Sequence, residues 1–357
     1  MPKISWRQGF KWAFKGFGAL LGLIVALTAL WALIYRDAAA YLIQSAKGQL
    51  QLLSGGESVQ SLLHSSKTPT KLKHHLELVQ EVKAFAESQL KLKPTLNYQN
   101  YLDLKRDYLV MVLTASPPLQ MESKAWWFPI VGTVPYKGYF DKAMGLLEQK
   151  KLQAEGFETN YRPSPAYSTL GWFRDPLLST MMLYGDFYLA NTVIHESVHA
   201  THWIPGEVTF NENMASFIGN QGAQLFYAYK YGEDSKEYRD TIQTLKEQKI
   251  FAQFMNQAAK ELEKVYQQTL SDSDMLKAKQ AKVKELKARY VKEILPQIKN
   301  PGYVGFEKQD WNNALMMSYL HYNAELDKLE ALFEKQGRDI PKMMEFLKQP
   351  DIMTHFK

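Results

Sequence analysis

Five consecutive residues, His195-Glu196-Ser197-Val198-His199, constrain this chain more than any others. Positions four apart on a helix lie on one face, so the two imidazoles stand one turn apart. So placed, they fill two corners of a tetrahedral zinc site and leave the Glu196 carboxylate beside a water at an open corner. The flanking pattern reads as helix, with Asp186 as its N-cap and an end near Trp203, where Ile204-Pro205-Gly206 stops it. A second helix is expected over about 210–231.

Zinc hydrolysis needs a third protein ligand, an open position and a base for the water's proton. The base is Glu196. For the third ligand the second helix offers Glu212, reached across the Pro-Gly break. Ala215, Gly219, Gly222 and Ala223 fall at helical spacing there and let the two backbones approach. Two other arrangements compete. Thr209 and Glu212 have the spacing of a capping box, and His202, seven residues after His195, returns to the same helix face as an alternative ligand.

Composition sets outer limits. An apolar fraction of 46% suffices for a core, and the absence of cysteine excludes disulfides, thiolate metal sites and a cysteine nucleophile. The net charge of +6 comes partly from Lys3, Arg7, Lys11 and Lys15 and partly from lysines in 277–292. Neither group is a recognition element with interleaved aromatics, so no nucleic-acid partner is expected.

The run 16–35 has no charge, and at 1.5 Å per residue it spans about 30 Å, the thickness of a hydrocarbon core. Trp12, Trp31 and Tyr35 sit at interfacial positions, and the excess of cations before the run places 1–15 in the cytoplasm and exports the rest. A cleaved signal peptide, with Ala38-Ala39-Ala40 near the cut, is the rival reading; the length of the run favours an uncleaved anchor. The expected localisation is the bacterial cytoplasmic membrane, single-pass, with the folded part outside.

Beyond the anchor, 36–92 has helical period with breaks at Ser54-Gly55-Gly56 and near Pro69. A metallopeptidase core is expected over 93–232, a charged helical hairpin over 233–300 with its turn at 271–274, and helices at 311–334 and 341–347 within a closing segment 301–357. Strands are expected at 108–114 and within 126–139, a helix at 141–156, and an extended edge or loop over 157–172, where Pro163 and Pro165 lie. The fold class is α+β and mostly helical, with a small sheet. Tyr136, Tyr139, Tyr167, Tyr319, His321 and Tyr322 are candidate donors to a tetrahedral oxyanion.

With these residues in view, the chain resembles a bacterial family described as predicted aminopeptidases, membrane-attached proteins with a gluzincin-like zinc motif. The resemblance includes Trp127-Phe128-Pro129-Ile130-Val131-Gly132, Val134-Pro135-Tyr136-Lys137-Gly138-Tyr139-Phe140 and Ala166-Tyr167-Ser168-Thr169-Leu170-Gly171-Trp172-Phe173. It continues through Asp175-Pro176-Leu177-Leu178-Ser179-Thr180, Phe210-Asn211-Glu212 and Trp311-Asn312-Asn313-Ala314, in order over about 75–345. It implies a zinc-dependent peptidase with a zincin-like domain, His195, His199 and Glu212 as ligands and Glu196 as base. Asn312, Asn313 and Tyr322 become candidates for the substrate side.

Relatives are often lipoproteins held through an N-terminal cysteine, and often carry a cysteine pair where this chain has Trp127 and Thr133; here the apolar run must serve as anchor. Ser197 stands where leucine is more usual. An aminopeptidase also needs an acidic group for the substrate ammonium, for which Glu207 and Asp175 are candidates. An edge strand, 109–114 or 157–161, would align the peptide. The alternative function is a zinc-containing envelope binding or scaffold protein without turnover. An intact Glu196 speaks against it, because a structural site has no use for a base.

Overall fold

The structure is a computed structural model that describes residues 17, 20–23, 26–27, 30, 32–128, 132–166, 169 and 173–356. It divides into two compact units, Met1–Gln51 and Leu52–Lys357. The first contains most of helix α1 (Arg36–Ser54). Among the described residues no helix is long and apolar enough to cross a membrane. Much of the expected anchor, 16–35, lies outside them. Those of its residues that are described are helical to Ile34, and Phe17, Leu20, Leu21, Leu23, Leu27 and Leu30 are exposed.

The second unit is mostly helical. Its elements begin with β1 (Glu57–Ser58), α2 (Val59–His64), α3 (Thr70–Ser88), β2 (Asn100–Leu102) and β3 (Val110–Ser116). They continue with β4 (Trp126–Phe128), β5 (Gly132–Val134), β6 (Lys137–Tyr139), α4 (Lys142–Ala154), β7 (Glu158–Ser164) and β8 (Leu177–Leu178). Then come α5 (Asp186–Thr201), α6 (Val208–Tyr231), α7 (Lys236–Tyr266), α8 (Asp272–Arg289), α9 (Asn313–Asn323), α10 (Leu326–Lys335) and α11 (Ile340–Leu347). The strands form three small sheets: β1-β2-β8, β6-β3-β7 and the hairpin β4-β5.

The β6-β3-β7 sheet is antiparallel, and β3 lies at its centre, from Val110 opposite Ser164 to Ser116 opposite Glu158. Every residue of β3 is buried, as an apolar run flanked on both sides requires. The expectation that 109–114 could serve as an edge is therefore corrected: β3 is paired twice, and β6 and β7 are the edges. Pro163 fits there because an edge strand can dispense with an amide donor.

The largest core joins α3, α5, α6, α10 and α11 through Leu76, Val79, Val82, Ile194, Val198, Met214, Ile218, Leu329 and Met343. Burying each such side chain contributes roughly 1.5–3 kcal/mol. A second, aromatic core under the helical hairpin contains Phe251, Phe254, Tyr290, Phe306 and Trp311. Ser271 caps α8 by accepting from the Asp274 amide, so the turn precedes 272 rather than occupying 271–274.

The hairpin's lysines are mostly exposed, but Lys279 is buried and donates to Glu158 Oε1 at 2.5 Å and to the Pro118 carbonyl at 2.8 Å. Its burial pushes the ammonium pKa down, and the Glu158 charge offsets part of that. The helix expected over 311–334 is broken between α9 and α10. Asn213 of α6 enters the break, donating to the His321 carbonyl at 2.8 Å and accepting from the Glu325 amide at 2.9 Å.

Candidate metal centre

Helix α5 starts at Asp186, but the N-cap is Gly185, whose φ of 93° suits a residue without a side chain. This corrects the capping role expected of Asp186. Its carboxylate instead accepts from His74 Nε2 at 2.6 Å and lies 3.4 Å from His75 Nε2, tying α5 to α3. The helix ends at Thr201. His202 is already extended, and its surroundings are Leu347 and Lys348 at the end of α11. Leaving the helix carries it off the face it was expected to share with His195, and it is no member of the cluster described below.

Between the helices, Asn211 holds the connecting turn. Its Oδ1 accepts from the Ile204 amide at 3.0 Å and its Nδ2 donates to the Ile204 carbonyl at 2.7 Å. Gly206, with φ of 85°, completes the reversal. The helix then opens at Glu207, so Thr209 lies inside it and the capping box is not formed. The Glu212 side chain is free to face α5.

Close approach follows from the small residues. A Cβ on Gly219 would lie 3.2 Å from the Asn191 carbonyl oxygen and 3.3 Å from His195 Cβ. On Gly222 it would meet Leu90 Cδ1 at 2.9 Å and Ile194 Cγ2 at 3.0 Å.

Across this contact His195, His199 and Glu212 converge. The two Nε2 atoms are 3.0 Å apart and lie 3.4 Å and 3.6 Å from Glu212 Oε2. The three ligand atoms all fall within 4.8 Å of one another, the only such His/Cys/Asp/Glu group among the described residues. Bonds of about 2.0–2.1 Å at tetrahedral angles would separate donor atoms by about 3.3 Å, so the donor set and spacing fit a zinc ion. His199 and Glu212 are buried, and Glu196 is 8% exposed. Burial raises the Glu212 carboxyl pKa, but His199 and His195 outweigh it and hold the group far below the carboxylate range.

Around the cluster, Tyr136 donates to Glu212 Oε1 at 3.1 Å, and Trp203 meets the His199 ring edge-on at 5.3 Å. Ser197 turns back to the Val193 carbonyl at 2.7 Å, within its own helix. Tyr322 lies within the electrostatic reach of the site. Burial raises its phenol most and the Glu212 charge raises it further; Arg162 lowers it, and Glu196 adds a smaller rise. His321 is pushed down to about 4 by burial and by Arg162, against a pull from Glu212, with Ser123 Oγ 3.0 Å from its Nε2.

Other expected site residues are engaged elsewhere. Tyr319 packs on Phe251 and Phe306 in the aromatic core, Tyr139 is buried in β6, and Tyr167 lies outside the described residues. Asn312 caps α9 and donates to the Thr159 carbonyl at 3.2 Å. Asn313 donates to the carbonyls of Pro117, Pro118 and Gln120 and accepts from Tyr266. Both amides join α9 to the sheet rather than face the cluster. Asp175 accepts from the Thr169 amide and hydroxyl, and Glu207 stands at the start of α6.

Three neighbours of the site escape the sequence reading. Asn213 is adjacent to Glu212 but works through the chain break described above. Arg162 is the sole cation of 157–172, a signal that its aromatic and proline-rich surroundings obscure. Tyr98 is buried in the left-handed region with φ of 65°, and burial, then Glu196 and Asp175, push its phenol upward. Nothing in its sequence neighbourhood announces that.

No curated protein and no solved structure matches the chain. A family model described as "Putative aminopeptidase" matches residues 40–353. That span contains both helices of the cluster, the β6-β3-β7 sheet and the helical hairpin, and the chain belongs to this family.

Proposed function

We propose that the protein is a zinc-dependent peptidase, an aminopeptidase by family, held at the outer face of a bacterial cytoplasmic membrane by its N-terminal apolar run. The observation that carries this reading is the convergence of His195, His199 and Glu212, with the buried Glu196 on the same helix as the two histidines. His195, His199 and Glu212 would hold a zinc ion, which would supply Lewis acidity toward a scissile carbonyl and a water.

The chain's own residues do the rest. Glu196 takes a proton from the attacking water and passes it to the leaving amine. Tyr136 fixes one carboxylate oxygen of Glu212 and leaves the other for the metal. Tyr322, kept as a neutral phenol by burial and by Glu212, donates to the developing oxyanion. The edge strand β7 offers main-chain groups to an extended peptide.

The test is Glu196→Gln in the full-length protein. Zinc binding retained with peptide cleavage abolished supports the role; undiminished cleavage overturns it, and metal-dependent folding without turnover by the wild type returns the scaffold alternative. For the anchor, the uncharged run and its N-terminal cations are the support. An alkaline phosphatase fusion at the C-terminus that is inactive overturns the export.

A further inference from the structure

Strand β7 runs alongside α9 with three consecutive same-face residues engaged. Glu158 Oε2 accepts from the Asn313 amide at 2.7 Å, and Asn160 donates to Ser318 Oγ at 3.0 Å. Arg162 completes the series, its Cζ 5.7 Å over the Tyr322 ring. Residues two apart share a strand face, and Ser318 and Tyr322, four apart, share a helix face, with the Asn313 amide at the start of that helix, so β7 is held along the length of α9.

The last of these contacts lies beside the metal centre. Asn213, next to Glu212, grips the carbonyl of His321 and so sets the turn that carries Tyr322. Arg162 is half-buried and, among the described residues, has no carboxylate partner, in a chain with 37 acidic residues. Some half-buried or buried cations are paired with carboxylates, Lys279 with Glu158, Lys137 with Glu148 and Arg289 with Glu261, while Arg106 spends its guanidinium on the Phe140 and Leu109 carbonyls. The guanidinium beside the Tyr322 phenol carries a planar fork of donors, the geometry that matches a carboxylate in two parallel hydrogen bonds.

We propose that Arg162 is a specificity-determining residue that binds a substrate carboxylate on the β7 side of the metal centre. This rests on the peptidase reading above. Of the two sequence candidates for an ammonium anchor, Asp175 is engaged by the Thr169 amide and hydroxyl and Glu207 stands at the start of α6. The ligand is a short peptide with its terminal carboxylate close behind the scissile bond, or a longer one with an acidic side chain there.

The experiment uses full-length protein and matched peptides: a free acid against its C-terminal amide, and a Glu against a Gln just after the scissile bond in amidated peptides. Binding is read by calorimetry and cleavage by mass spectrometry. The wild type is expected to favour the charged member of at least one pair by about tenfold or more. Which pair discriminates identifies a terminal or a side-chain carboxylate. Arg162→Gln should abolish the preference, Arg162→Lys should keep part of it, and Arg162→Glu should reverse it.

A wild type that binds and cleaves both members of every pair equally overturns the proposal while leaving the peptidase reading intact. Discrimination in binding with no cleavage does the reverse. If Arg162→Gln weakens charged and uncharged members alike, Arg162 only positions Tyr322, and the proposal falls.

Discussion

Tyr136 donates its phenol hydrogen to Glu212 Oε1 at 3.1 Å, while Glu212 Oε2 faces both histidines. One buried carboxylate is thereby divided into a fixed oxygen and a working one. Tyr136→Phe should leave the fold intact and lower zinc affinity about 10–100-fold, the usual loss when a ligand's supporting hydrogen bond is removed. Competition with a chromogenic chelator measures it. An unchanged affinity would mean that the helix contact alone orients Glu212.

The approach of α5 to α6 leaves no room at Gly219. Gly219→Ala should destabilise the protein by about 1–3 kcal/mol in urea unfolding, because the new methyl meets the Asn191 carbonyl and His195 Cβ. It should also weaken zinc binding, since His195 must yield. Gly138→Ala is the control. There the nearest atom to an added Cβ is 3.9 Å away, so stability should stay within about 0.5 kcal/mol.

Asn213→Ala strips hydrogen-bond partners from the His321 carbonyl and the Glu325 amide. Leaving such buried groups unsatisfied costs about 1–3 kcal/mol each. The expected result is a stability loss of about 2–4 kcal/mol with faster hydrogen exchange at the Glu325 amide. Loss of stability without faster exchange there would place the damage elsewhere.

His321 makes stability depend on pH. Its folded pKa of about 4 lies below the ordinary 6.5, so the unfolded chain takes up the proton first. The group's contribution is complete above about 6.5 and is lost as pH falls toward 4, reaching at most about 3 kcal/mol. Burial and the Arg162 charge act against protonation, and Glu212 acts for it. His321→Gln should flatten the decline in unfolding midpoint between pH 6.5 and 4.5 relative to wild type. Parallel curves would remove His321 from the account.

Much of this site was legible because its pieces are local. The histidine spacing, the Pro-Gly break and the small residues of α6 are each read within one or two turns of helix, and they meet where that reading placed them. Strands β3 to β6 were likewise visible as β-branched and aromatic runs, and β7 as an extended edge or loop. What stayed hidden depends on partners far along the chain. Asp186 resembles a cap until His74 and His75 claim its carboxylate. Asn312 and Asn313 look like site residues until their amides are found on the main chain of β7 and of the loop after β3. The break after α9 has no proline or glycine to mark it, because Asn213 from another helix supplies the hydrogen bonds.

Lys279 gives the helical hairpin a mechanical role. Its ammonium is fastened to Glu158 at the start of β7, and Glu158 in turn holds the first amide of α9. One carboxylate therefore ties together α8, β7 and α9, alongside the aromatic core that also holds the hairpin. A graft that replaced the hairpin while losing this one buried lysine would keep the charge pattern of the surface and leave Glu158 without its ammonium partner.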